Sequence, residues 1–145
     1  MALIWKGNEV TAKLLRACER GLLQTASDSV KEAKNTVHKV TSQLYNSIML
    51  DPQGVQNKDN IKKMSLKWGS FSVLYAAAIE FGVKARKISP RFKQSLYWSG
   101  LGHPLPIGRS VWHNRVRAFP YLRPSADNNY KKLPNYIRRA FEGTL

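Results

Sequence analysis

The chain has 145 residues, one of them cysteine, and carries 24 Lys and Arg against nine Asp and Glu, a formal net charge of +15. The length is one domain's worth, able to bury roughly 68–70% of its unfolded surface without metal or disulfide, and the lone Cys18 excludes an internal bridge and points to a reducing compartment. No apolar run approaches the roughly 18 residues of a membrane span and no charged-then-apolar leader is present, so a soluble, non-secreted chain is expected, with a polyanion (nucleic acid or an acidic protein surface) as the partner its charge favours.

In chain order, Asn8 is the expected N-cap of a long helix, with Glu9 favourable in the first turn. Leu15, Cys18, Leu22, Ala26, Val30, Ala33, Val37, Val40 and Leu44 recur every three or four residues, and Lys13, Arg16, Arg20, Asp28, Lys31 and Lys34 take the other face. This predicts a helix over about 9–38, with Gly21 a weak point worth roughly 1 kcal/mol. About 30 helical residues extend roughly 45 Å, more than a globule of this size needs, so part of the stripe is expected to pack against another subunit.

Tyr45–Leu50 alternates as a strand, and Asp51-Pro52-Gln53-Gly54 is a turn. Asn57–Asn60 reads as a loop, and Met64, Leu66 and Trp68 alternate with Ser65 and Lys67 as one half-buried strand punctuated by Gly69-Ser70. Tyr75–Phe81 is a short helix ending at Gly82. Val83–Pro90 is a basic connector, Gln94–Trp98 a strand, residues 99–110 a long exposed loop rich in glycine and proline, and Val111–Ala118 extended. The strip Arg117-Ala118-Phe119-Pro120-Tyr121-Leu122-Arg123-Pro124 is stiffened by two prolines, which bias Phe119 and Arg123 towards extended backbone. Tyr130, Leu133, Ile137 and Phe141 share one face of a terminal helix starting near Leu133, with Pro134 in its first turn. The sum is α+β in a single domain over 1–145: a long N-terminal helix packed on a mainly antiparallel sheet, a short middle helix and a C-terminal helix.

No catalytic pattern is present. His38, His103 and His113 are isolated, Cys18 sits on the apolar stripe, and no phosphate-binding glycine loop, nucleophile elbow or carboxylate pair occurs. No catalytic, cofactor or metal residue is therefore assigned, and an enzyme is not expected. Glu80 is singled out because it lies between Ile79 and Phe81. A half-buried carboxylate there needs a cation, and Arg117 or Arg123 is available; the alternative is a solvent-facing helix end. Trp and Tyr interleaved with Lys and Arg near 84–98 leave a nucleic-acid surface open beside a generic solvated face.

Taken together, several stretches carry a likeness. They are Thr41-Ser42-Gln43-Leu44-Tyr45-Asn46-Ser47-Ile48, then Tyr75-Ala76 with Glu80-Phe81-Gly82, a basic stretch leading to Leu96-Tyr97-Trp98, and Ala118-Phe119-Pro120-Tyr121-Leu122-Arg123-Pro124-Ser125. The order resembles the small neck or tail-completion proteins of long-tailed bacteriophages, also described as head–tail connector or minor tail proteins. Their pattern is T-G-x-L-x-x-S-I, Y-A-x-x-x-E-x-G-T and A-x-P-F-L-R-P-A. The likeness spans roughly residues 30–142; Ser42 replaces a glycine, Val83 a threonine, Tyr121 a phenylalanine and Ser125 an alanine.

The resemblance implies a virion structural protein without catalysis or cofactor, assembled in the bacterial host cytoplasm. Copies would form a homo-oligomeric ring of about six or twelve at the joint between capsid portal and tail. Its neighbours would be head-completion or connector proteins and tail-terminator or tail-tube proteins, with contact to DNA in the channel and none to a membrane. In that setting Phe119, Tyr121 and Leu122 supply packing within an internal brace. The alternative is a basic nucleic-acid-binding module. The first reading predicts rings and no salt-sensitive affinity for free duplex; the second predicts affinity that falls steeply with salt.

Overall fold

The structure is a computed structural model that describes residues 6–37, 42–58, 63–90, 96–98, 105–108 and 110–143. Its class is α+β, and these residues form two compact units, one within Met1–Val73 and Pro120–Leu145, the other within Leu74–Phe119. Among the described residues the β component is four antiparallel two-stranded ladders.

In the first unit, helix α1 spans Gly7–Thr36. Its N-cap is Lys6 and not Asn8, because the Lys6 carbonyl accepts from Glu9 N (3.1 Å) and Val10 N (3.2 Å), closing the first turn early. Glu9 does lie in that turn, 3.5 Å from Lys6 Nζ. The buried line along α1 is Ala17, Gly21, Thr25, Ala26, Ser29 and Ala33, so small residues and not the large apolar ones make the closest approach. Two of these are polar, and the helix satisfies them itself: Thr25 Oγ1 donates to Gly21 O (2.8 Å) and Ser29 Oγ to Thr25 O (2.9 Å). Gly21, expected as a weak point, is a packing requirement. A Cβ there would sit 2.7 Å from Ile137 Cγ1.

The partners of that line are α4, Leu122–Tyr130, and α5, Leu133–Glu142. Pro124 and Pro134 fall in the first turns of these helices, where a missing N–H costs nothing. This overrides the extended bias expected at Arg123, which is helical. Tyr130 belongs to α4 and is exposed, so it does not share the α5 face with Ile137 and Phe141. The buried side of α4 repeats the device seen on α1, with Ser125 Oγ donating to Tyr121 O (2.7 Å) and Asn129 Nδ2 to Ser125 O (2.9 Å).

Between the helices, α2 (Ser42–Ser47) runs directly into β1 (Ile48–Leu50), so Tyr45, Asn46 and Ser47 are helical where alternation predicts strand. Ser47 Oγ bonds back to Leu44 O (2.7 Å) and meets Ser70 Oγ at 2.6 Å, tying the end of α2 to the ladder. The remaining strands here are β2 (Gln56–Lys58), β3 (Lys63–Ser65) and β4 (Trp68–Ser70). Asn57 and Lys58 are thus strand and not loop, Gly69-Ser70 is strand and not punctuation, and the single strand expected over 64–68 is two. Ladder β2–β3 is nested inside β1–β4: Leu50 pairs with Trp68 and Gln56 with Ser65, so five residues (51–55) face two (66 and 67). The Asp51–Gly54 turn, closed by Gly54 N to Asp51 O (2.9 Å), takes up this difference and does not reverse the chain.

In the second unit, α3 (Ala76–Phe81) ends at Gly82, with φ +73°. Strands β5 (Arg86–Ile88) and β8 (Val111–His113) pair, and β6 (Leu96–Trp98) and β7 (Leu105–Gly108) pair within them. The basic connector therefore contains a strand, as does the loop expected over 99–110; residues 99–104 and 109, like Gln94 and Ser95, lie outside the described set. Pro106 is accommodated because a two-stranded ladder has an open edge on each strand.

Candidate interaction surfaces

Four polar or aromatic contacts run along α1 in order and bind it antiparallel to α5 and α4. Lys13 Nζ stands 4.6 Å from the centre of the Phe141 ring. Tyr136 donates its hydroxyl to Asp28 Oδ2 (2.8 Å), and Gln24 Nε2 donates to the same carboxylate (3.2 Å). Glu32 accepts from Asn128 Nδ2 (2.7 Å) and Asn129 Nδ2 (2.6 Å), and Lys132 Nζ donates to Asn129 Oδ1 (2.9 Å). Those two amides hold the Glu32 carboxyl below its ordinary range, and the bond to Asp28 raises the Tyr136 hydroxyl above its own. This network lies at the joint between helices and reads as structural.

Two of the stretches that carry the likeness meet within the second unit. Phe119 N donates to Ile79 O (2.8 Å), and Val83 and Val116 exchange both backbone bonds (3.0 and 2.9 Å). At the corner, a Cβ on Gly82 would lie 2.8 Å from both Ala118 N and Val116 O, so only glycine fits. Glu80 is 5% exposed, which rules out a solvent-facing helix end. Arg117 and the Phe119 side chain are exposed; Tyr121 is fully buried, Leu122 half-buried at the start of α4 and Arg123 exposed beside it.

No family model, curated protein or solved structure matches this chain.

Two kinds of surface remain for partners. One is apolar: Leu74 (101% exposed), Phe81 (61%) and Phe119 (40%) keep exposed surface in the second unit, and Val10 and Leu14 on α1 in the first. Leu14 also lines a cleft of about 270 Å³ with Cys18, Leu22, Met64 and Ile137. The other is basic. Lys84, Arg86, Lys87, Arg115 and Arg117 are all exposed, and Trp112 beside them is 64% exposed. Lys84 and Arg115 line a cleft of about 570 Å³ with Phe81, Gly82 and Val116. Net charge alone does not locate this basic face. The missed signal is the distribution of acids: none occurs between Glu80 and Asp127.

Among the described residues no three His, Cys, Asp or Glu side chains gather as metal ligands would, and no helix is long and apolar enough to cross a membrane. His38 and His103 lie outside those residues.

Proposed function

We propose that this chain is a structural protein of the neck of a long-tailed bacteriophage, forming a homo-oligomeric ring that completes the joint between the portal and the tail around the DNA channel. Its partners are further copies of itself and the head-completion or connector and tail-terminator or tail-tube proteins on either side. Its place is the virion, after assembly in the host cytoplasm, and it carries no catalytic role.

The observation that supports this most directly is the set of large apolar side chains that the single chain leaves in water. Leu74 is fully exposed, Phe81 and Val10 are more than half exposed, and Leu14 and Phe119 keep 45% and 40% of their surface in water. Scattered single apolar residues are ordinary, but bulky ones on both units are what a protein buried by neighbours on several sides would keep. The backbone bond from Phe119 to Ile79 adds to it, since it brings together two of the stretches that the likeness rests on. The alternative, a basic nucleic-acid-binding module, is favoured by the segregation of charge in residues 74–119, where one buried acid accompanies eight Lys and Arg.

Imaging particles made without this protein tests the neck reading. Filled heads with unattached tails are expected. Normal joined particles from the deletion would end it.

A further inference from the structure

We infer that the β5–β8 ribbon of the second unit is a contact surface for the phosphate backbone of duplex DNA, with Lys84, Arg86 and Arg115 as the contacting side chains. Register supplies the geometry. Val83 pairs with Val116 in an isolated bridge, and the ladder from Arg86–His113 to Ile88–Val111 keeps the same register, so across the two unladdered positions between them Lys84 stands opposite Arg115. Directly opposed residues share a face and alternate residues return to it, which puts Lys84, Arg86 and Arg115 together on one side of the ribbon. Lys87 and Trp112, also paired, lie on the other.

Opposed like charges disfavour a ladder, and a carboxylate nearby would ordinarily relieve them. The ribbon has none. Residues 81–126 contain no Asp or Glu at all, and the sole acid of the second unit, Glu80, is buried. The Lys6–Glu9 and Asp28–Lys31 ion pairs lie in the first unit. His113, opposite Arg86, adds a buried Nδ1 that has no hydrogen-bond partner among the described residues.

Neighbouring cations about 5 Å apart across the ribbon and about 7 Å apart along it lie within the roughly 8 Å over which salt screens charge, so their fields add. An acidic protein surface usually mixes signs and is met by mixed signs. A patch of one sign with no carboxylate answers a uniform line of charge instead, and a two-stranded ribbon is narrow enough to enter the major groove. Because Trp112 lies on the opposite side, base stacking has no part in this contact.

The inference does not depend on the ring. It departs from the expectation that a neck protein shows no salt-sensitive affinity for free duplex, since duplex affinity confined to one unit leaves assembly through the rest of the chain intact. The test is the salt dependence of binding to a fluorescent duplex of mixed sequence, using the full chain. Lys84→Gln/Arg86→Gln/Arg115→Gln is expected to lose at least about tenfold in affinity and roughly three from the slope of log K against log salt. Arg16→Gln/Arg20→Gln/Lys67→Gln removes the same charge from exposed positions of the first unit and is expected to change the slope by less than about one. The single variant Arg86→Gln, checked for fold by circular dichroism, is expected to lose about one from the slope. Equal losses in the two triple variants would overturn the assignment. So would displacement of the duplex by polyglutamate at equal charge, or single-stranded DNA bound more tightly than duplex with loss of that binding in Trp112→Ala. Particle imaging of the ribbon variant separates this outcome from the neck reading, which stands or falls on whether heads and tails join.

Discussion

Gly21 of α1 and Ile137 of α5 touch so closely that a methyl group on the glycine would lie 2.7 Å from Ile137 Cγ1 and 3.1 Å from its backbone nitrogen. The isoleucine side chain has some freedom, but the backbone atoms belong to a packed helix and do not. In an exposed helix, Gly→Ala would stabilise by about 1 kcal/mol; here steric overlap outweighs propensity. Gly21→Ala is expected to destabilise by about 1–3 kcal/mol, read as a lower midpoint in urea. An unchanged or higher midpoint would mean that α5 shifts to make room.

Gly82 is constrained twice, by φ +73° with ψ 172° and by backbone atoms 2.8 Å from where a Cβ would be. That region of backbone space is close to glycine-only, and neither neighbouring atom can rotate away. Gly82→Ala is expected to cost about 2–4 kcal/mol locally and to open the corner. Hydrogen exchange at Val83, Val116 and Phe119 should accelerate together while α1 amides keep their protection; unaltered protection at those three would count against this account.

The hydroxyl of Tyr136 is raised above its usual range because it donates to Asp28, so the neutral form is favoured in the folded state. The stabilisation is fully present below the unfolded tyrosine value near 10 and fades as pH rises through the higher folded value. Tyr136→Phe is expected to cost about 0.5–1.5 kcal/mol at neutral pH and to flatten the alkaline limb of the stability curve. Identical alkaline limbs in both proteins would show that the bond does not persist in solution.

Glu32 works at the other end of the scale. Donation from Asn128 and Asn129 holds its carboxyl low, so its contribution is present above the unfolded glutamate value and lost as pH falls through the depressed folded one. Glu32→Gln keeps the shape and removes the charge. It is expected to lose about 0.5–1 kcal/mol at neutral pH, reduced by exposure, and to be less acid-sensitive than the parent between roughly pH 5 and 3 in urea melts.

Periodicity revealed α1 and α5 because apolar spacing and proline placement act locally. It misjudged the inside of α1, where the closest approach belongs to Gly21, Thr25 and Ser29, residues a hydrophobic pattern cannot rank. The strand in 86–88 was hidden for a different reason. Its partner lies more than twenty residues away, and the exposed Arg86 and Lys87 give no burial alternation. Tyr45–Ser47 alternates like a strand yet forms a turn of helix, since a six-residue helix is too short for its own period to register. Among the candidate residues, Glu80 and Tyr121 were recognisable from apolar neighbours and from proline flanks. The cation face was not, because it depends on strand register and on where acids are missing.

Gly21 and Ile137 are 116 positions apart in the chain, and the side-chain contacts described between α1 and α4 or α5 span 96 to 128. A nascent α1 must therefore wait, its line of small residues uncovered, while the ribbons and the whole acid-free stretch are synthesised. Only when α5 follows can the first unit close. Early in its life the chain is a cationic segment attached to an unfinished helical base, which makes the interval before closure its time of greatest exposure to chaperones, to proteases and to the nucleic acid around the ribosome.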